Sequence, residues 1–301
     1  MAPKSASPSS EKRASRIAVP GGHLAAEVAG AGSSVLFLHS VIADGRMWDR
    51  DFSRCAASHR AIRFDLRGFG GSTPAAGPFS LVDDVRAVLR HVRASRAFVV
   101  GSSMGGAIAI DYALAHPQTV EGLLLVAPGL SGGFEPPFET DEKAAFAEDE
   151  ERSNAVAAAW SRGDRAAAFG LLRQLWCAAL TGSNLELFRR MVEENAAEVF
   201  DNRSLRLAVD GPPAAPRLGS LSMPTTVLVG DRDNPSSPVF AKRIARAIPG
   251  ARLRTVPGAD HLINLSRPDE FDRALDEAIG EIGTPARRSP SSSLRERRSP
   301  R

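Results

Sequence analysis

A doubly wound, mostly parallel α/β sheet carrying a helical insertion is the fold this sequence predicts, and three observations predict it. Short β-branched and aromatic runs alternate with helix-period segments over residues 16–130, and again over 223–283. Between them the alternation stops, and residues 131–222 offer helix-like segments and no convincing strand. Within the first block, residues 98–114 read as strand, sharp turn, then helix, with Gly101-Ser102-Ser103-Met104-Gly105 at the turn.

Taken in order, residues 1–15 are rich in Ser, Pro and Lys and read as a disordered tail. Residues 16–19 and 23–28 suit two short strands around the turn Pro20-Gly21-Gly22. Residues 34–38 (SVLFL) are a buried strand that runs into His39-Ser40-Val41, followed by a short helix over 47–57. The next strand, 60–64, ends in a glycine-dense loop from Asp65 to Ser72. A helix over 81–93 places Leu81, Val82, Val85, Val88, Leu89 and Val92 on one face. Strand 97–100 enters the turn at Ser103, and 120–126 is a further strand. In the insertion, helices are expected over 141–160, 164–180, 184–199 and 203–208. Most of their aromatic residues are read as inward faces, with Trp160 and Trp176 assigned to a substrate pocket. The alternation resumes with strand 225–229, helix 238–247, strand 251–256 and helix 268–282. Residues 284–301 are basic and low in complexity and read as a solvated, disordered tail.

Bulk properties exclude several classes. The chain has 301 residues, 43% hydrophobic and 24% charged, which suits a soluble globular protein. No apolar run approaches the roughly 18 residues of a membrane span, and no apolar signal segment opens the chain, so a cytoplasmic location is expected. Cys55 and Cys177 are the only cysteines, which gives neither a disulfide framework nor a metal cluster. The net charge is +3, but residues 1–16 carry +3 and residues 284–301 carry +5, leaving −5 for the part between. A mildly acidic globule argues against a nucleic-acid-binding face.

The chemistry is carried by the carboxyl ends of the strands, where ligands bind on parallel sheets. His39, Asp65 and Ser103 fall there. Gly-x-Ser-x-Gly between a strand and a helix is the context of a nucleophile elbow, with Ser103 at the apex and the helix N-terminus directed at any anion forming there. A serine nucleophile needs a base and an acid that orients the base. Asp231 and Asp233 follow strand 225–229, and Asp260 and His261 follow strand 251–256.

Five stretches in this order resemble the α/β-hydrolase superfamily, over about residues 16–283. They are the strand and loop 34–41, the Asp-x-Arg-Gly-x-Gly-x-Ser-like loop 65–72, the elbow 101–105, Gly230–Asp233 and Gly258–His261. The resemblance implies an α/β-hydrolase core over 16–130 and 223–283, and a helical cap over 131–222. It implies Ser103 as nucleophile, Asp233 as acid and His261 as base. The oxyanion would be held by the backbone N–H groups of Val41 and Met104. His39, Ser40 and Leu262 would join the two tryptophans at the pocket, although His39, Asp65 and Arg67 are also read as structural. Where the family usually has Gly and Pro after the loop histidine, this chain has Ser40 and Ile42. The loop His39-Ser40 through Met47-Trp48-Asp49 is similar to that of 3-oxoadipate enol-lactonase-like members. The expectation is a serine hydrolase of a small carboxylic ester or lactone, with no metal or organic cofactor and no membrane partner. The alternatives are a C–C bond hydrolase of the same fold, whose members usually have Trp at the position of Leu262, and a receptor-like binder of a small molecule.

Overall fold

The computed structural model describes residues 12–209 and 211–282. Of the tails expected over 1–15 and 284–301, residues 1–11 and all of 284–301 lie outside the described residues, while Arg13–Ser15 belong to a strand rather than to a tail.

Among the described residues eight strands form one sheet, in the order β1-β2-β4-β3-β5-β6-β7-β8. The strands are β1 (Arg13–Val19), β2 (Gly22–Ala29), β3 (Ser34–Leu38), β4 (Arg60–Phe64), β5 (Ala97–Ser102), β6 (Val120–Val126), β7 (Thr225–Gly230) and β8 (Arg252–Val256). Strands β1 and β2 are antiparallel to each other and β2 is antiparallel to β4, while β4-β3-β5-β6-β7-β8 are parallel. Strand β1 begins three residues before its expected start, because Arg13, Ala14 and Ser15 pair with Val28, Glu27 and Ala26. Cross-strand pairing, which the polar composition of these residues does not announce, overrides local character there.

Helices α1 (Asp49–Cys55), α2 (Leu81–His91) and α3 (Met104–Ala115) connect the first parallel strands. Between β6 and β7 lie α4 (Thr140–Ser161), α5 (Arg165–Trp176), α6 (Gly182–Glu194) and α7 (Ala196–Asp201). The chain then adds α8 (Ser237–Ala247), the short α9 (Ile263–Ser266) and α10 (Pro268–Gly280). The insertion is therefore helical, but its bounds differ from expectation in three places. The helix expected over 164–180 ends at Trp176. The one expected over 184–199 is broken at Asn195. The segment expected over 203–208 is only a 3-10 turn, Leu205–Leu207.

Two apolar clusters sandwich the sheet, and the period of two along each strand divides the residues between them. Leu36 and Leu38, Val99, Leu123 and Leu125, Val227 and Val229 point to the face covered by α2, α3 and α8. Val35 and Phe37, Phe98 and Val100, Leu124 and Val126, and Leu228 point to the other. That second cluster continues into the insertion through Phe169, Leu172, Leu175, Phe188 and Met191. Burying a side chain of this size contributes roughly 1.5–3 kcal/mol, so the inserted helices are bound to the sheet by their apolar faces. Among the described residues no helix is long and apolar enough to cross a membrane.

Candidate active site

Ser103 joins β5 to α3 with φ 54° and ψ −114°, a conformation that costs a non-glycine residue about 1–3 kcal/mol. The surroundings hold it there. Its N–H donates to the Val126 carbonyl at 2.9 Å, and its own carbonyl accepts from Gly106 and Gly129 at 2.9 Å and from Ala107 at 3.1 Å. Glycine is required on either side of the turn. A Cβ at position 101 would run into the Gly105 carbonyl, and one at 105 into the carbonyls of Leu38 and His39. Ser102 is fully buried, whereas Ser103 is only half-buried. The hydroxyl available to a ligand is that of Ser103.

The end of β3 lies against this turn, as the close approach of Gly105 to Leu38 and His39 requires. Ser40 shapes the loop that follows: its carbonyl accepts the N–H of Ala43 at 3.1 Å and its hydroxyl that of Ile42 at 3.4 Å. A serine-centred turn of this kind does the work of a glycine turn by side-chain hydrogen bonding. The N–H of Val41 is left unspent among the described residues. So is that of Met104, in the first turn of α3, where helix geometry leaves the N–H groups without intrahelical partners and the dipole favours an anion.

Asp233 and His261 meet beyond the ends of β7 and β8. His261 Nδ1 lies 2.8 Å from Asp233 Oδ1 and 3.1 Å from Oδ2, and both side chains are almost wholly buried. A carboxylate can only accept here, so Nδ1 carries the proton and Nε2 of the neutral ring is a free base. Asp233 Oδ1 also accepts the Asn234 N–H at 2.7 Å. Gly230 lets the two loops approach, since a Cβ there would strike the Ala259 carbonyl. Trp176 packs edge-on against the His261 ring at 4.3 Å, and its carbonyl accepts the His261 N–H at 3.0 Å. No hydrogen bond joins Ser103 Oγ to His261 among the described residues; such contacts commonly tighten only with substrate bound.

The other expected site residues have structural partners. His39 is fully buried, and its Nε2 accepts the N–H of Leu66 at 2.9 Å, which fixes the proton on Nδ1, donated to the Ser40 carbonyl at 2.9 Å. Asp65 accepts from Gly45 and Gly71 at 2.9 Å, and burial pushes its carboxyl up. Arg67 forms a two-toothed ion pair with Asp84 at 2.8 Å. Leu262 is fully buried in the cluster shared with the insertion. Trp160 stacks on Phe200 at 4.2 Å, lies beneath Arg165, and donates from Nε1 to Asp201 at 2.8 Å. All three of its partners belong to the insertion itself.

Three linked polar residues at the site, Asp149, Asn234 and Ser236, carry no motif in the sequence. Asp149, on α4, accepts from Asn234 Nδ2 at 2.9 Å and from Ser236 Oγ at 2.7 Å. Burial pushes its carboxyl up, as it does that of Asp260. The only sequence signal for Asp149 is its spacing seven residues after Glu142, two helical turns along one face. Among the described residues no group of three or more His, Cys, Asp or Glu side chains is placed to hold a metal ion.

A family model described as the alpha/beta hydrolase family matches residues 35–274. The chain is 30% identical over 259 residues to the pimeloyl-[acyl-carrier protein] methyl ester esterase of Chromobacterium violaceum, covering 85% of this chain and 98% of that protein. It is 29% identical over 305 residues to the polyketide synthase ThaQ of Burkholderia thailandensis; that match covers 90% of this chain but spans only 13% of ThaQ. Among solved structures it is similar to Est816, described as an N-acyl homoserine lactone degrading enzyme, with a TM-score of 0.68 and 27% identity over 87% of this chain and 99% of that one.

Proposed function

The chain belongs to the alpha/beta hydrolase family, and from that membership we propose that it cleaves a carboxylic ester or a lactone through Ser103, His261 and Asp233. The observation that carries the reading is the buried Asp233–His261 hydrogen bond beyond the ends of β7 and β8, taken with a serine held at φ 54° at the N-terminus of α3, beyond the end of β5 in the same parallel sheet. The acid orients the ring, and the ring presents an unprotonated Nε2 to the serine. His261 takes the proton of Ser103 as Oγ attacks the carbonyl carbon. The negative charge moves to the carbonyl oxygen, where the N–H groups of Met104 and Val41 receive it. As the tetrahedral intermediate collapses, the imidazolium returns the proton to the leaving alkoxide. With a lactone the freed hydroxyl remains on the acyl chain. Water deprotonated by His261 then releases the acyl group from Ser103. The helices between β6 and β7 act as the cap, with Trp176 as its contact on the base. The similarity to an ester hydrolase and to a lactone-degrading enzyme supports this substrate class.

The test is a panel of p-nitrophenyl esters and small lactones with wild type, Ser103→Ala and Ser102→Ala. Turnover should fall by several powers of ten in Ser103→Ala with an unchanged melting temperature, and far less in Ser102→Ala. A dead Ser102→Ala beside an active Ser103→Ala would reject the assignment.

A further inference from the structure

We propose that Asp149 is a positioning residue for this reaction: from α4 it holds Asn234 and Ser236, and through Asn234 it fixes the loop that presents Asp233 to His261. The inference rests on the assignment of Asp233 as the acid. Asn234 is the hub. Its N–H binds Asp233 Oδ1 at 2.7 Å, its Nδ2 binds Asp149, and its Oδ1 accepts from the N–H and hydroxyl of Ser237 at 2.8 and 2.6 Å. Asn234 is 1% exposed, so each of these bonds is made away from water, where an unmade one is costly. The chain of contacts runs without a gap from the insertion, through Asn234, to the carboxylate that orients the base.

Docking of α4 does not need Asp149. Glu142 pairs with Arg243 on α8, and Phe146 meets Phe240 edge-on at 5.9 Å. Positions 142, 146 and 149 lie at i, i+4 and i+7, so all three occupy one face of α4. The first two already fasten that face to α8. A half-buried carboxylate at the third position carries a desolvation cost that an apolar residue would not. What it supplies is two acceptor oxygens matched to two donors on the acid loop, one from the residue after Asp233 and one from the residue three after it. A displacement of about 1 Å at a catalytic group can cost on the order of 100-fold in rate, so a residue that removes such freedom acts on kcat.

The experiment compares wild type, Asp149→Ala, Asp149→Asn, Asn234→Ala and the double variant Asp149→Ala/Asn234→Ala. It measures melting temperature, kcat and KM on a p-nitrophenyl ester, and the rate at which a fluorophosphonate labels Ser103. Expected for Asp149→Ala are losses of roughly tenfold or more in kcat and in labelling rate, with KM within about threefold of wild type. Asp149→Asn, which keeps one acceptor oxygen, should recover most of the loss. The double variant should be no worse than the poorer single one, as for residues acting through one contact. Overturning results are an Asp149→Ala protein within about threefold of wild type in both rates, or a double variant whose losses multiply. If Asp149→Ala does not fold, Ser236→Ala tests the same tie, and rates within about twofold of wild type overturn the proposal. A wild type that is labelled but cleaves neither esters nor lactones defeats the substrate assignment while the labelling rates still decide the role of Asp149. A wild type that is neither labelled nor active overturns both.

Discussion

At the residue scale, the question is which carboxylate orients His261, since three aspartates lie in the two loops. Asp233 is the one within hydrogen-bond distance of Nδ1. Asp231 is exposed and turned to the Gly258 N–H at 2.6 Å, bracing the neighbouring loop. Asp260 is fully buried and accepts the N–H groups of Ala179 at 3.0 Å and Leu262 at 3.2 Å, so it fastens the chain after α5 to the histidine loop. Replacing the orienting aspartate by Asn favours the wrong histidine tautomer and removes the charge that stabilises the imidazolium. Asp233→Asn should therefore lose on the order of 10⁴ in kcat, the figure known for serine proteases. Asp231→Asn should keep most of its activity, and Asp260→Asn should keep most of its kcat while melting earlier. Steady-state kinetics and melting curves of the three variants check this; an active Asp233→Asn beside a crippled Asp231→Asn would move the acid to the strand end.

At the element scale, the insertion is tied to the core by more than apolar packing, and Asn195 shows how. It interrupts what its sequence offers as one helix over 184–199. Its side chain accepts the Gly70 N–H at 2.8 Å and donates to Asp44 Oδ2 and the Met191 carbonyl at 2.7 Å, all at a site 4% exposed. Asn195→Ala leaves Gly70 and Asp44 each without this partner and should cost about 2–3 kcal/mol, read as a lower urea midpoint. An unchanged midpoint would show that water replaces the amide. The same residue marks the limit of what can be read from the chain. Strands β3, β5, β6 and β7 are legible because largely apolar runs of five to seven residues advertise buried parallel strands, whereas β4 (RAIRF) and the mostly exposed β8 (RLRTV) are interrupted by arginines and are legible mainly from their place in the strand–helix alternation. The elbow is legible because glycine is needed where backbones nearly touch, and Ser103, Asp233 and His261 stand in recognisable spacings. The break at Asn195 depends on groups 125 and 151 residues away in sequence, and Asp149 on a loop 85 residues away, so no local pattern records either. The early start of β1 is hidden likewise, because its first residues are polar and only their pairing with β2 makes them a strand.

At the scale of the whole molecule, the buried carboxylates set how stability varies with pH, and they fall into two groups. Burial raises Asp51, Asp65, Asp84, Asp149 and Asp260 above the ordinary carboxylate range. In Asp44 and Glu27 burial is outweighed, by hydrogen bonds from Arg46 in the first and by Lys12 and Arg63 in the second, and both are lowered. A raised carboxyl binds its proton more tightly folded than unfolded, so its contribution is greatest in acid and declines as pH rises from about 4 through the folded value. The lowered pair work in the opposite direction, but below about pH 4, so the two windows barely overlap. Burial at 1% exposure pushes the Asp51 carboxyl up to about 7, against hydrogen bonding from Asn264 and the charge of Arg50. Its ionisation costs at most on the order of 4 kcal/mol once pH exceeds 7. The Asp51 contribution to folding stability should thus decline from pH 4 to 7 and level off above it. Asp51→Asn keeps an amide of the same shape beside Asn264, whose Oδ1 has no partner among the described residues and could accept from it. That variant should match wild type near pH 4, exceed it by a few kcal/mol at pH 8, and flatten the slope between. Urea unfolding of both proteins at half-unit steps from pH 4 to 8 measures the difference directly. A constant offset between them at every pH would mean that Asp51 does not titrate in this range, and any decline in wild type would then have to be assigned to the other four.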